Sequence, residues 1–482
     1  MVSPFVRQVW TVSGVLLNMC GQGMLLSYSA VLLPALAAHD AQIQTDLDTN
    51  AWISSSVGVA GIPGFILSSY LMSRWGRRIA HALVILPGVL GWTLISFANN
   101  VSLLLIGRIL GGVTAGATVG LGAVVIGEFT DPENRGMFLN LKTAAVCLGS
   151  TVVHILGHFL NWRLIALIAL VPHIGALGIV CTWPESPAWL ASRSLFQRAQ
   201  KSFIWLRGDG EKAMNELEEL IRAQKMNLAQ PTTNNSFEDN MKEFVKKFLK
   251  KDFLKPLLIV IVAMMLLETS GRHIFPAYAI QIIGTIVGNK TQSFYYVLAI
   301  DLITTISATF SSVLVKLMKR RTLLFSTGYS SVVVLLCLCG ILFLQSKGFI
   351  SANYSWIPIG LFVIYFILAN LGCAPIPLAL LGEVFPMAHR STGSCLAGII
   401  MSVNVNLGLL LTPYMLVGLD VYGTFAVFAL ISAAFLLILY FVLPETKDRT
   451  LQEIEDYFNL GKFKDDEKVI GDHEGVKVKM LA

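Results

Sequence analysis

The chain has 482 residues, 55% of them hydrophobic and only 14% charged, against roughly 25% charged in a soluble globular protein. That much apolar surface exceeds what a water-soluble core can enclose, so an ordinary soluble domain is excluded and lipid must cover part of the chain. The net charge of +6 comes largely from basic residues in short loops between apolar stretches, which marks membrane topology rather than a nucleic-acid partner.

Twelve helical spans of roughly 20 residues, long enough to cross a bilayer, are predicted near 10–34, 52–72, 79–98, 102–126, 137–160, 163–183, 255–283, 293–315, 322–344, 354–380, 391–418 and 421–443. Span 1 follows an N-terminus with no cleavable-signal pattern and reads as a retained first span. It holds no carboxylate; its polar residues include Asn18, Gln22 and Ser27. The loop after it has Asp40, Asp46 and Asp48 and no Lys or Arg, as suits the outer side. Arg74, Arg77 and Arg78 lie in the 2–3 loop, and Lys316, Lys319, Arg320 and Arg321 in the 8–9 loop. Basic loops stay in the cytosol, so twelve spans place both termini there as well.

Residues 184–254 are one long polar interruption. Gln197 to Lys225 has helical spacing, with Phe203, Leu206, Met214, Leu217, Leu220 and Ile221 on its apolar face. A second amphipathic piece, Phe237 to Phe253, carries Lys242, Lys246, Lys247, Lys250 and Lys251. Two readings stand for this region: surface helices lying under the bundle, or an anionic-lipid site. Spans 7 and 10 are the least regular, holding Gly271 with Pro276, and Gly372 with Pro375 and Pro377. Broken helices are tolerated where backbone lines a cavity rather than lipid. Asn289-Lys-Thr291 and Asn353-Tyr-Ser355 are glycosylation sequons on predicted outer loops. The tail beyond 455 is charged and reads as disordered. The seven cysteines fall in apolar stretches without metal spacing. No phosphate loop, nucleophile elbow or metal constellation is present, so the sequence points away from an enzyme and implies no cofactor.

One pattern is stated twice. Glu128 and Arg135 reappear as Glu383 and Arg390, both displaced by 255 residues. The basic knot Arg77-Arg78 has a counterpart in Arg320-Arg321, and Pro184-Glu185 in Pro444-Glu445. Such repetition means two tandem copies of one membrane unit, with a solute site between them near the bilayer midplane. The expected organisation is a six-helix bundle over 1–183, an intracellular loop over 184–254, a second six-helix bundle over 255–443 and a tail over 444–482.

The chain resembles the sugar porters of the major facilitator superfamily, and more narrowly animal sugar facilitators similar to insect trehalose facilitators. The resemblance covers about 10–455. It is carried by Gly107-Arg108, Glu128…Arg135-Gly136, Trp183-Pro-Glu-Ser-Pro-Ala-Trp189, Phe203-Ile-Trp-Leu-Arg207-Gly208, Glu383…Arg390 and Pro444-Glu-Thr-Lys-Asp-Arg-Thr-Leu-Gln-Glu-Ile454. It implies an all-α membrane protein with the major facilitator fold, twelve transmembrane helices in two pseudo-symmetric six-helix bundles, acting as a monomer in the plasma membrane. By position it assigns a cytosolic gate to Arg77, Arg78, Glu128, Arg135 and Glu185, and to Arg320, Arg321, Glu383, Arg390 and Glu445. Carboxylates at helix ends and arginines on neighbouring loops form bidentate pairs, and such pairs across the halves would lock that side closed. The bland alternative is ordinary topogenic charge. The gate is eroded, because Ser73, Lys316 and Ala188 stand where the family has charged partners.

The cavity departs further. Thr143 takes a family glutamine position, and span 7 reads Leu267-Glu268-Thr269-Ser270-Gly271-Arg272-His273 in place of an amide-rich signature. Leu378 falls on the family's span 10 tryptophan, so the usual aromatics are expected to be missing. Thr143, Glu268, Ser270, His273, Thr304, Asn404 and Asn406 are the candidate substrate ligands. Glu268 and Arg272, four apart, share a helical face and could pair; Asp301 is a further ionisable group inside a span. The reading is a passive carrier of a hexose, trehalose or polyol. The alternatives are a carrier of a non-sugar solute and a non-transporting sensor.

Overall fold

The computed structural model describes residues 3–38, 41–229, 251–351, 354–385 and 390–447, together with 454, 457 and 458. Asn353, the lysine-rich piece before residue 251, most of the tail and the side chains of Glu383 and Arg390 lie outside what is described. Twelve helical spans cross the fold, as the sequence predicts. Spans 1 to 5 are Pro4–Leu36, Leu47–Trp75, Arg77–Ser96, Val101–Phe129 and Pro132–Phe159, and span 6 is Trp162–Ile168 with Leu170–Cys181. Span 7 is Lys251–Thr269 with Ile274–Val287; spans 8 and 9 are Lys290–Leu317 and Arg320–Ser346. Span 10 is Trp356–Leu371 with Pro375–Glu383; spans 11 and 12 are Arg390–Gly418 and Asp420–Val442. Spans 7 and 10 are interrupted where the glycines and prolines predict it.

Local chemistry sets the span starts. Asp46 caps span 2 by accepting from the Thr49 N–H at 3.0 Å, Asn100 caps span 4 through Leu103, and Asn161 caps span 6 through Leu164, both at 2.9 Å. Large apolar side chains face outward, Phe159 being 70% and Phe441 77% exposed within the protein, as lipid-facing helices require.

Small residues set the packing between spans. A Cβ on Gly23 would meet the Val146 carbonyl oxygen at 1.9 Å, and one on Gly149 the Cys20 carbonyl oxygen at 2.0 Å. Spans 1 and 5 therefore cross with backbones in near contact, which only small residues permit. The halves meet most extensively along two pairs, span 2 against span 11 and span 5 against span 8, and span 1 also packs on the second helix of span 7. Adding six to 2 and 5 gives 8 and 11, so the two pairs are images of one another under the repeat. At the first of them, a Cβ on Gly58 would meet the Asn406 backbone nitrogen at 2.5 Å.

The part of the polar interruption described before residue 230 folds as three helices, Pro187–Ser192, Phe196–Arg207 and Glu211–Ala229. The helix predicted over Gln197 to Lys225 is broken at Gly208, whose φ is +80°. Phe196, Leu190, Ala191, Ala199 and Leu220 bind these pieces together. The Arg7 guanidinium donates to the Trp205 carbonyl at 2.9 Å and the Arg207 guanidinium to the Thr130 carbonyl at 2.8 Å, docking them on the first half.

Candidate functional site

Span 7 positions the centre of the site. Its first helix stops at Thr269, Gly271 takes φ +77°, a left-handed conformation that glycine adopts freely, and the helix resumes at Ile274. In an unbroken helix Glu268 and Arg272 would share a face and His273 would point about 140° away from Glu268. The break reverses this. His273 Nδ1 lies 2.8 and 3.0 Å from the two Glu268 carboxylate oxygens, and both side chains are buried. The expected Glu268–Arg272 pair does not form. Arg272 instead reaches across to the first half, where Nη1 donates to Cys147 Sγ at 3.3 Å.

A second buried pair joins the halves. His154 of span 5 sets Nδ1 2.6 Å from Asp301 Oδ2 of span 8, and Nε2 3.0 Å from the Pro276 carbonyl oxygen of span 7. A carbonyl accepts only, so Nε2 carries a hydrogen. The contact to Asp301 then needs one further proton, shared between the ring and the carboxyl. Either placement leaves the pair with no net charge.

Between these groups lies a cavity of about 570 Å³, counting the part open to solvent. Leu26, Val146, Cys147 and Ser150 wall it from the first half; Ser270, Arg272, Phe275, Asp301, Thr304, Phe366 and Asn370 are among its walls from the second. Of the predicted ligands, Ser270 and Thr304 stand on the wall. Thr143 lies a turn before Cys147 on span 5, off the wall, and Glu268 and His273 are turned to one another. Asn406 donates to the Ser55 carbonyl at 2.9 Å and so packs span 11 on span 2. Asn404 is buried off the wall with no partner for its Nδ2.

Leu378 stands where the family has its span 10 tryptophan, but two other rings, not anticipated from the sequence, give the cavity an aromatic face. Phe275 and Phe366 line it with ring centroids 4.4 Å apart, supplying an apolar face. Sequence reasoning missed them because phenylalanines are common in apolar spans. It also missed His154, although a carboxylate inside a span signals a buried partner elsewhere.

At the ends bearing the basic loops, the two halves build similar clusters. Arg77 Nη2 sits 2.7 Å from Glu128 Oε1, and the Ser186 hydroxyl donates to the other oxygen of Glu128. Glu185 accepts from the backbone N–H groups of Arg77 at 2.6 Å and Arg78 at 3.2 Å, so it caps span 3 from a distance in sequence. Gly76, at φ +88°, leaves room for it: a Cβ there would meet the Glu185 carboxyl carbon at 2.5 Å. Burial pushes the Glu185 carboxyl above its ordinary value, against the pull of the Ser186, Arg77 and Arg78 N–H groups. In the second half Glu445 accepts from the N–H groups of Arg320 at 2.9 Å and Arg321 at 3.0 Å. The Arg321 side chain donates to the Tyr440 carbonyl at 2.9 Å, as Arg78 does to the Cys181 carbonyl at 2.5 Å.

Two expectations change. The contacts described for the gate residues each join residues of one half rather than tying the halves together. Arg135 does not join Glu128; it lies by Arg207 and Glu216, with its Nε buried and unpartnered.

Residues 24–458 match the family model described as "Sugar (and other) transporter". The chain belongs to this family. It is 29% identical over 413 residues to the facilitated trehalose transporter Tret1 of Drosophila mojavensis, a match covering 84% of this chain and 46% of that protein. It is 26% identical to Tret1 of Aedes aegypti, covering 93% and 55%. The chain thus spans about half the length of these curated relatives. Among solved structures it superposes on the proton:xylose symporter XylE bound to 6-bromo-6-deoxy-D-glucose with a TM-score of 0.74 at 16% identity, covering 94% of this chain and 99% of that one. The inward-open form of XylE from E. coli gives 0.73 at 17%, covering 94% and 99%. Identity that low establishes the fold alone: this sugar transporter family member is a multi-pass, all-α membrane protein of the major facilitator type.

Proposed function

We propose that the protein carries a sugar or polyol across the plasma membrane by alternating access, with both termini and residues 184–254 in the cytosol. The observation that carries this reading is the cavity, which is walled by both halves in a chain of the sugar transporter family. A solute held there touches spans 5, 7, 8 and 10 together, so its binding energy acts on the relative placement of the halves. Ser150, Ser270, Thr304 and Asn370 supply polar contacts and Phe275 and Phe366 an apolar face. Trehalose, named for the insect relatives, enters as one candidate beside hexoses and polyols.

Span 1 contains no carboxylate, which supports movement down the solute's own gradient rather than proton symport. Asn289 is exposed at the start of span 8, on the outer side in this orientation, and is a candidate for glycosylation. The clusters around Glu185 and Glu445 keep the cytosolic end of each half rigid while the halves move. Purified protein in proteoliposomes should take up a labelled sugar saturably and stereoselectively, with no accumulation beyond equilibrium under an inward proton gradient. Non-saturable flux across a panel of sugars and polyols would end this reading.

A further inference from the structure

Two guanidinium groups lie in the interior of the spans, and they are treated differently. Arg108, fully buried in span 4, donates to the Ile53 carbonyl at 3.1 Å, the Leu25 carbonyl at 2.5 Å and the Ser29 hydroxyl at 2.8 Å. Its donors are used in holding spans 1, 2 and 4 together. Arg272 stands on the cavity wall, and its one hydrogen-bond partner among the described residues is the Cys147 sulfur at 3.3 Å, a weak acceptor. A guanidinium has five N–H donors and matches a carboxylate in a planar, two-point fork.

No carboxylate among the described residues takes that place. Glu268 is turned to His273, and Asp301 is held by His154 in a pair without net charge. Lys142, a cation in the middle of span 5, donates to the Val119 carbonyl at 2.9 Å. The cavity therefore presents one positive charge whose strong donors are unmatched. A charge held away from bulk water is costly unless paired, so the site favours a solute that brings the missing negative charge.

The neutral wall groups say what the rest of the solute resembles. The Ser270 hydroxyl donates to the Leu267 carbonyl at 2.6 Å, Thr304 to the Asp301 carbonyl at 2.9 Å and Ser150 to the Gly23 carbonyl at 3.3 Å. With their hydrogens directed at backbone, these oxygens face the cavity as acceptors. They suit a partner rich in O–H donors.

The geometry points to a sugar acid as the solute: a polyhydroxylated monocarboxylate whose hydroxyls donate to Ser150, Ser270 and Thr304 and whose carboxylate is bound by Arg272. One guanidinium, with Asp301 on the same wall, fits a single negative charge better than a phosphate ester, which carries −1.5 to −2 at neutral pH. This inference rests on the carrier reading above and names the class of solute for the same cavity.

The test uses the full-length protein in proteoliposomes with labelled D-glucuronate, D-glucose and D-glucose 6-phosphate. D-glucuronate should half-saturate uptake at a concentration about tenfold to a hundredfold below D-glucose, the range given by hydrogen bonds to a charged group. Arg272→Gln should collapse that ratio to within about threefold of unity, and Arg272→Lys should keep part of it, because charge survives while the fork does not. If Arg272→Gln does not fold, the wild-type ratio and Arg272→Lys decide. Saturable glucose uptake with glucuronate neither carried nor competing overturns the inference and leaves the carrier reading standing. Preference for the phosphate ester overturns the single-charge assignment. A glucuronate preference that survives Arg272→Gln overturns the role of Arg272. No saturable uptake of any solute by folded protein overturns inference and carrier reading together.

Discussion

In the first half Glu185 accepts hydrogen bonds from the N–H groups of Arg77 and Arg78; in the second, Glu445 does the same for Arg320 and Arg321. The turns they cap are not identical. Gly76 sits at φ +88° where Lys319 takes an ordinary extended conformation, φ −63°. The carboxylate and its two backbone partners recur although the turn residue differs. At mid-membrane the halves part company. Span 1 runs unbroken from Pro4 to Leu36 without a carboxylate, whereas its counterpart, span 7, breaks at Gly271 and carries Glu268, Arg272 and His273. The ends stay alike, each capped by one carboxylate on two successive backbone N–H groups. The middles line one cavity from opposite sides and are free to differ, since a solute without two-fold symmetry needs different groups on each side.

The largest effect that sharpens this contrast is expected at the midplane. Asp301→Ala leaves His154 buried with its partner gone, and removal of one member of a buried pair costs about 3–5 kcal/mol. Thermal unfolding in detergent should show a loss of that order, and His154→Phe combined with Asp301→Ala should recover much of it. Additive losses would show that the pair is not coupled. Next comes the seam between the halves. Gly58→Val pushes methyl groups into the Asn406 backbone, and overpacking of this kind costs about 1–3 kcal/mol. On the carrier reading proposed above, uptake should slow even in protein that remains folded, because the seam would lie between moving parts.

Glu185→Ala and Glu445→Ala test the likeness of the ends. Each removes a helix cap, a loss of about 0.5–2 kcal/mol, and the two should agree within about 0.5 kcal/mol. A large inequality would break the comparison. The first also has a pH signature. Burial raises the folded Glu185 carboxyl above 4.5, so its favourable contribution is full below that value and is lost as pH rises through the folded value. Glu185→Gln should therefore gain stability relative to the parent as pH rises through that window, read as the difference in Tm between acid and neutral pH. The smallest effect is expected for Arg135→Ala, which removes no partner of Glu128 and should shift stability by less than about 0.5 kcal/mol.

The twelve spans, the repeat and both helix breaks were legible because each depends on composition over many residues or on glycine and proline, whose backbone preferences are intrinsic. The partners inside the cavity were not. Four-residue spacing pairs Glu268 with Arg272 only if the helix continues. Once Gly271 turns the chain, the neighbour of Glu268 becomes His273 and Arg272 is released to the other half. His154 was unreadable for another reason. Its partners, Asp301 and Pro276, lie more than a hundred residues away, and no local pattern encodes a contact between the two copies. Phe275 and Phe366 are hidden among apolar neighbours, where only the broken spans give their rings a cavity to face.

The carboxylate caps also set a length scale. Span 2 has 29 residues and at 1.5 Å per residue is about 43 Å long, so its end stands roughly 20 Å from the midplane. With spans 3 and 6 pinned together by Glu185, and spans 9 and 12 by Glu445, the alternating access proposed above would move each half as a lever pivoting near mid-membrane. A tilt of roughly 15° about that pivot would carry the far end through roughly 5 Å, close to one helical pitch. In that proposed cycle a small movement at a solute near mid-membrane would be magnified into the opening or sealing of a doorway.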